Sequence, residues 1–138
     1  MDCSVIYYAA RKTSFCEKAL NRCLSPLHLR ISSACFANGA QQLGERLIEA
    51  LSTNGICAVV GGMEFTDERA VTRIISNAAA SSRPETVRKL PCTGGCGYLL
   101  RAGSQLLLLL PDDPGRIEEI LRGDLSDYIR NKIGRAHV

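Results

Sequence analysis

The chain lacks a long apolar run. Its longest strongly apolar run, Leu106 to Leu110, falls far short of the roughly 20 residues that a membrane-spanning helix needs, and Met1-Asp2-Cys3 does not open the basic and then apolar pattern of an export signal. It also lacks an excess of charge: 17 basic residues face 14 acidic ones in 138, which gives no electrostatic case for nucleic acid or an anionic membrane as partner. Histidine is scarce, with only His28 and His137. No nucleophilic triad, phosphate-binding Walker loop or complete dinucleotide fingerprint is present, and no internal repeat or domain boundary interrupts the chain. What remains is 46% hydrophobic and 22% charged, enough for one core in one cytoplasmic domain. The seven cysteines are odd in number and lie mostly inside apolar patterns, so they are expected as reduced thiols rather than a disulfide framework.

The last residues do not continue the pattern before them. Ile133-Gly134-Arg135-Ala136-His137-Val138 resembles one reading frame of a sequencing-library adapter, so residues 132–138 are expected to be a read-through tail and residues 1–131 a single domain. With Lys132 and Arg135 set aside, 15 basic residues face 14 acidic ones, a net charge of +1.

Strands and helices alternate along the domain. Cys3 to Ala9 is a short apolar run rich in β-branched and aromatic residues, and Ser14 with Glu17 has the spacing of a capping box that opens a helix ended by Pro26. Cys16, Ala19, Leu20 and Cys23 form its apolar face. Leu29 to Phe36 reads as a second strand. Gly39 opens a helix whose apolar stripe is Leu43, Leu47, Ile48 and Leu51, and Asn54-Gly55 stops it. Ile56 to Val60, continuously apolar and bounded by glycines, suits a strand buried on both faces of a parallel sheet. After Gly61-Gly62, Thr66 is expected to cap a helix with Asp67 and Glu68 in its first turn and Ala70, Val71, Ile74, Ile75 and Ala78 inward. Ser81 to Pro84 reads as a loop and Thr86 to Leu90 as a short strand. Cys92 to Gly97 is a glycine-rich turn, and the break at Ala102-Gly103-Ser104 predicts a hairpin between Tyr98–Arg101 and the leucine run. Asp113 then caps a helix with Pro114 at its first position and Ile117, Ile120 and Leu121 inward; Leu125, Tyr128 and Ile129 continue the apolar pattern. The expected fold is therefore α/β: a three-layer sandwich with a mainly parallel sheet and an antiparallel hairpin near the C-terminal half.

In such sheets ligands bind beyond the carboxyl ends of the strands. Two loops belong there, Gly61 to Asp67 and Pro111 to Pro114. The glycines allow close approach of an anion at a helix start. Glu64, Asp67 and Glu68 would repel a bare phosphate, so an anionic ligand requires a divalent cation bridging to these carboxylates, which Asp112 and Asp113 could join. The alternative use of the same acids is ordinary helix capping. Cys92 and Cys96 lack the second pair that a structural zinc site needs, and a single His28 at a strand entrance is an ordinary structural residue as readily as a general base.

At these two loops the chain resembles a known family. Val59-Val60-Gly61-Gly62, then Thr66 and Glu68 before an amphipathic helix, followed by Gly97-Tyr98-Leu99-Leu100 and Leu107 to Pro114, look like the molybdopterin-binding domain of the MoaB/Mog proteins of molybdenum-cofactor synthesis and of the amino-terminal domain of CinA proteins. The likeness runs from Cys57 to Leu121. Val60 stands where the family usually has threonine, Glu64 and Asp112 where it has glycine, and Arg69 where aspartate is common. The resemblance implies a trimer that binds a small molecule, a pterin or nucleotide phosphate, at Gly61, Gly62, Glu64, Thr66, Asp67, Glu68, Pro111, Asp112 and Asp113. Magnesium at Asp67 and Asp112 would complete such a site. The departures imply a second possibility, a noncatalytic assembly or regulatory domain that has kept the sheet and lost the pocket.

Overall fold

The computed structural model describes residues 2–78, 86–123 and 128–129. Among the described residues six strands and four longer α-helices follow one another in the order β1 (Asp2–Tyr8), α1 (Thr13–Leu24), β2 (Arg30–Ala37), α2 (Ala40–Thr53), β3 (Ile56–Val60), α3 (Val71–Ala78), β4 (Thr86–Cys92), β5 (Gly95–Ala102), β6 (Gln105–Leu110) and α4 (Pro114–Arg122). The strands form one sheet in the order β2-β1-β3-β6-β5-β4. β2, β1, β3 and β6 run parallel, and β5 lies antiparallel between β6 and β4.

Alternation along the strands sorts the core into two layers. Cys3, Val5 and Tyr7 of β1, Ala58 of β3 and Leu106, Leu108 and Leu110 of β6 pack with Cys16, Leu20 and Leu24 of α1 and Ile117 and Leu121 of α4. Ile6, Tyr8, Cys57, Val59, Leu107 and Leu109 face the other way, onto Leu43 and Leu47 of α2 and Val71, Ile74 and Ile75 of α3. A strand covered by helices on both sides must be apolar at every position. That accounts for ICAVV in β3 and for the leucine run of β6, whose five leucines are all buried; each contributes about 2 kcal/mol on leaving water.

Local sequence signals and tertiary packing disagree at five places. The Ser14/Glu17 box does not form: α1 starts at Thr13 with Lys12 as its cap residue and no capping bond from a side chain of its own. Pro26 lies in a 3-10 turn, Ser25–Leu27, after α1 has ended at Leu24. On α2, Leu43, Leu47 and Ala50 are buried but Ile48 is 72% exposed, because the residue after Leu47 is turned about 100° from the buried stripe. Thr66 does not cap α3, which begins only at Val71; residues 61–70 are a loop with Asp67 and Glu68 in it. The reversal after Cys92 is also tighter than expected, Thr93-Gly94 alone, with Cys96 already in β5. The loop expected at 81–84, Leu125 and the tail at 132–138 lie outside the described residues, as does the side chain of Ala78. Among the described residues no helix is long and apolar enough to cross a membrane.

The glycine pair after β3 is required by β1. Gly61 and Gly62 have φ of +103° and +74°, and a Cβ would stand 2.2 Å from the Tyr8 carbonyl oxygen at Gly61 and 2.4 Å from the Tyr8 ring at Gly62. Gly61→Ala is therefore expected to cost roughly 3 kcal/mol of stability, measured by urea unfolding, since both backbone angle and space oppose it. A loss below about 1 kcal/mol would show that the loop tolerates a side chain there.

Candidate functional site

Parallel strands deliver their following loops to one edge. Ala9–Lys12 after β1, Asn38-Gly39 after β2, 61–70 after β3 and Pro111–Asp113 after β6 all lie at the carboxyl edge. The Thr93-Gly94 turn joins them, because β5 starts beside the end of β6. The two loops singled out by sequence thus follow neighbouring strands.

Asp112 occupies a particular place there. Its carboxylate accepts hydrogen bonds from the backbone amides of Arg11 (2.7 Å) and Lys12 (3.1 Å), with the Cys16 thiol at 3.6 Å. The first amides of a helix have no partner within it and carry the positive end of its dipole. Lys12 supplies no cap, and a carboxylate from a loop a hundred residues away stands at the two amides that lead into α1. Asp113 does the same locally: its Oδ1 accepts from the Arg116 amide at 3.0 Å and caps α4, with Pro114 at the first turn as the sequence implies. Pro111 is buried between them and β6.

The 61–70 loop is held as firmly. Tyr8 donates its hydroxyl to the Arg69 carbonyl oxygen at 2.7 Å and meets Phe65 edge to face, with ring centroids 6.1 Å apart. The Arg69 guanidinium lies 4.5 Å above the Phe65 ring and grips both oxygens of Asp67. Those bonds from Arg69 hold the exposed Asp67 carboxyl below its ordinary range. Glu64, Thr66 and Glu68 are exposed. Glu68 lies instead on an open groove of about 300 Å³ with Thr72, Arg73 and Ser76 of α3.

The Cys92–Cys96 turn clasps α4. Thr93 donates its amide and hydroxyl to the Glu119 carboxylate (both 3.1 Å to Oε1), and Gly94, at φ +76°, leaves room for the Arg116 guanidinium. The thiols of Cys3 and Cys16 are pushed up to about 12 by burial, reinforced at Cys16 by Asp112. Both are therefore protonated at neutral pH and are poor nucleophiles. His28, with φ 59°, closes the 3-10 turn rather than standing at the carboxyl edge. Among the described residues no three His, Cys, Asp or Glu side chains group as a metal site requires. With Asp67 chelating Arg69 and Asp112 holding two amides, the donors as arranged do not fit a magnesium ion.

Sequence reasoning missed Tyr8, Arg11 and Lys12. A signal for the first was present: two glycines with no ligand to admit must admit something else. For the other two no local signal was present: the Ser14/Glu17 spacing offered a cap of its own, and their partner Asp112 lies about a hundred positions away.

This is a three-layer α/β domain with two glycine- and proline-marked loops at its carboxyl edge, the architecture of the molybdopterin-binding fold. Solved structures with this fold include CinA from Thermoplasma acidophilum (TM-score 0.72, 12% identity, 91% of this chain and 96% of that one) and the molybdopterin biosynthesis enzyme MoaB from Thermus thermophilus (0.67, 15%, 96% and 96%). The molybdopterin biosynthesis Mog protein from Mycobacterium ulcerans is similar to the same degree (0.66, 15%, 95% and 98%). The chain has the MoaB/Mog-like and CinA-like fold. No family model and no curated protein sequence matches it.

The two aspartates give separable predictions. Asp112→Ala leaves the Arg11 and Lys12 amides without their acceptor and is expected to cost about 1 kcal/mol in urea unfolding. At Asp113 the Arg116 amide holds the carboxyl below its ordinary range. Its contribution is therefore complete above the usual carboxylate pKa of about 4 and lost as pH falls through the lowered value. Asp113→Asn is expected to flatten that part of the stability profile; an unchanged acid limb would contradict the assignment.

Proposed function

We propose that the chain is a diverged molybdopterin-binding-like domain with a noncatalytic assembly or regulatory role, its anion position filled by its own Asp112. One observation carries this reading: the Asp112 carboxylate receives the backbone amides of Arg11 and Lys12, the turn that leads into α1, beside the kind of helix terminus that binds phosphate in other proteins. A side chain tethered there competes with any anionic ligand at an effective concentration far above that of a free small molecule. Asp67 and Asp113 are likewise spent, one on Arg69 and one on the cap of α4. Gly61 and Gly62, where a ligand would need room, are filled by Tyr8.

A second reading has its own support. Gly61–Asp67 and Pro111–Asp113 follow adjacent parallel strands, and Glu64, Thr66 and Glu68 remain exposed beside them. On this reading a pterin or nucleotide phosphate would take the place of Asp112 at the Arg11 and Lys12 amides, and Asp67 and Asp112, once out of their present bonds, would be the residues to hold magnesium.

Thermal unfolding with molybdopterin precursors, nucleotides and divalent metals separates the two, since a ligand of the native state alone raises its melting temperature. The expected result is no shift for the natural sequence, and a shift with phosphate-bearing ligands for Asp112→Gly. A magnesium-dependent shift in the natural sequence, abolished by changing Asp67 or Asp112, would establish the second reading instead.

A further inference from the structure

The two edges of the sheet are built differently. β4 ends one side with Arg88, Lys89 and Pro91, the charges and proline that keep an edge strand from pairing with another chain. β2 ends the other side with RISSACFA. Its one charge, Arg30, is paired with Asp2 of β1 at 3.2 Å, and Ala34 and Phe36 are exposed, Phe36 to 59%. Phe36 also stacks on Tyr7, ring centroids 5.4 Å apart, and the Tyr7 hydroxyl is buried without a hydrogen-bond partner.

The ladder shows which backbone groups β2 leaves outward. Ala37 pairs with Tyr8, and the Ala37 carbonyl accepts the Ala9 amide, so Ala37 turns its polar groups toward β1. In a parallel ladder this alternates along the strand. Cys35 and Ser33 therefore also face β1, and the amides and carbonyls of Ala34 and Phe36 point away from the sheet. A register shift opposite Cys3 and Ser4 separates Ile31 from the regular stretch Ser33–Ala37.

We propose that a second copy of this chain pairs with β2, antiparallel across a two-fold axis centred on Cys35. An open edge with outward amides and carbonyls is a template on which another extended strand can take the place of water. A second β2 meets no opposing charge there, whereas two β4 strands would bring Arg88 and Lys89 against their like. Directly opposed residues must share a face, so the axis of a symmetric pair passes through a residue. Centring it on Cys35 uses the whole regular stretch: Ser33 lies across from Ala37 of the second copy and the large Phe36 across from the small Ala34. Ala34 and Phe36 exchange the hydrogen bonds. Cys35 faces its own counterpart in the non-hydrogen-bonded position, with Cα atoms about 4.5 Å apart, within the span a disulfide bridges.

Sedimentation equilibrium of the full chain, with cross-linking by copper-phenanthroline, tests this. The oxidant takes two electrons from the two thiols, which lose two protons as the S–S bond forms. The expected result is a dimer, converted by the oxidant to a species of twice the chain mass on a non-reducing gel, and Cys35→Ser abolishes that species while remaining dimeric. Ala34→Pro removes an outward amide that the β1 ladder does not use and is expected to weaken association at least tenfold while leaving the circular dichroism spectrum unchanged. Phe36→Lys, on the exposed face, should do the same by repulsion. A monomer at 100 μM, a trimer indifferent to both substitutions, or a cross-link surviving in Cys35→Ser would each overturn the proposal.

Discussion

In a parallel sheet every strand surrenders its chain at the same edge, where the ladder ends and the next helix begins with amides that have no partner. β1, β3 and β6 all do this side by side, and the rest of the domain is arranged around satisfying what they leave exposed. Asp112 answers for α1, Asp113 for α4, and Tyr8 closes the loop after β3 by filling the space its glycines open. Each solution draws on a different strand from the one that creates the need, apart from Asp113. The edge is therefore a mutual brace: the β6–α4 loop orders the start of α1, and the end of β1 orders the approach to α3.

That brace gives the carboxyl edge of the sheet a definite chemical state. A helix start and glycine loops are often described as room for an anion, but room is a property of what else stands there. Here a carboxylate stands at one and an aromatic ring at the other. Asp112, one of the four departures from the pattern of the family the sequence resembles, supplies the occupant at the first.

The sheet was legible because its central strands carry no ambiguity: ICAVV and the leucine run are too apolar for a half-exposed position and too short for a buried helix. The hairpin at Gly103-Ser104 and the cap at Asp113 followed from local chemistry acting within a few residues. The capping box at Ser14 failed for the opposite reason. Its rival, Asp112, is a hundred positions away, and no local window contains it. Thr66 failed similarly, since the aromatic contacts of Tyr8 and Phe65 and the grip of Arg69 on Asp67 hold the chain out of helix until Val71. The candidate residues were legible as positions more than as partners: sequence located Asp67, Asp112 and Asp113 at the carboxyl edge and Asp113 as a cap, and only the fold revealed that Asp67 holds Arg69 and that Asp112 holds the amides of Arg11 and Lys12.

The central claim is that Asp112 holds the Arg11 and Lys12 amides at the entry to α1 against external anions. The most direct measurement follows the backbone amide resonances of Arg11 and Lys12 by nuclear magnetic resonance while inorganic phosphate is added to the natural sequence and to Asp112→Gly. The account predicts saturable shifts at both amides in the variant and none in the natural sequence. Saturable shifts in the natural sequence would contradict it, because phosphate would then be displacing a carboxylate that does not close the site.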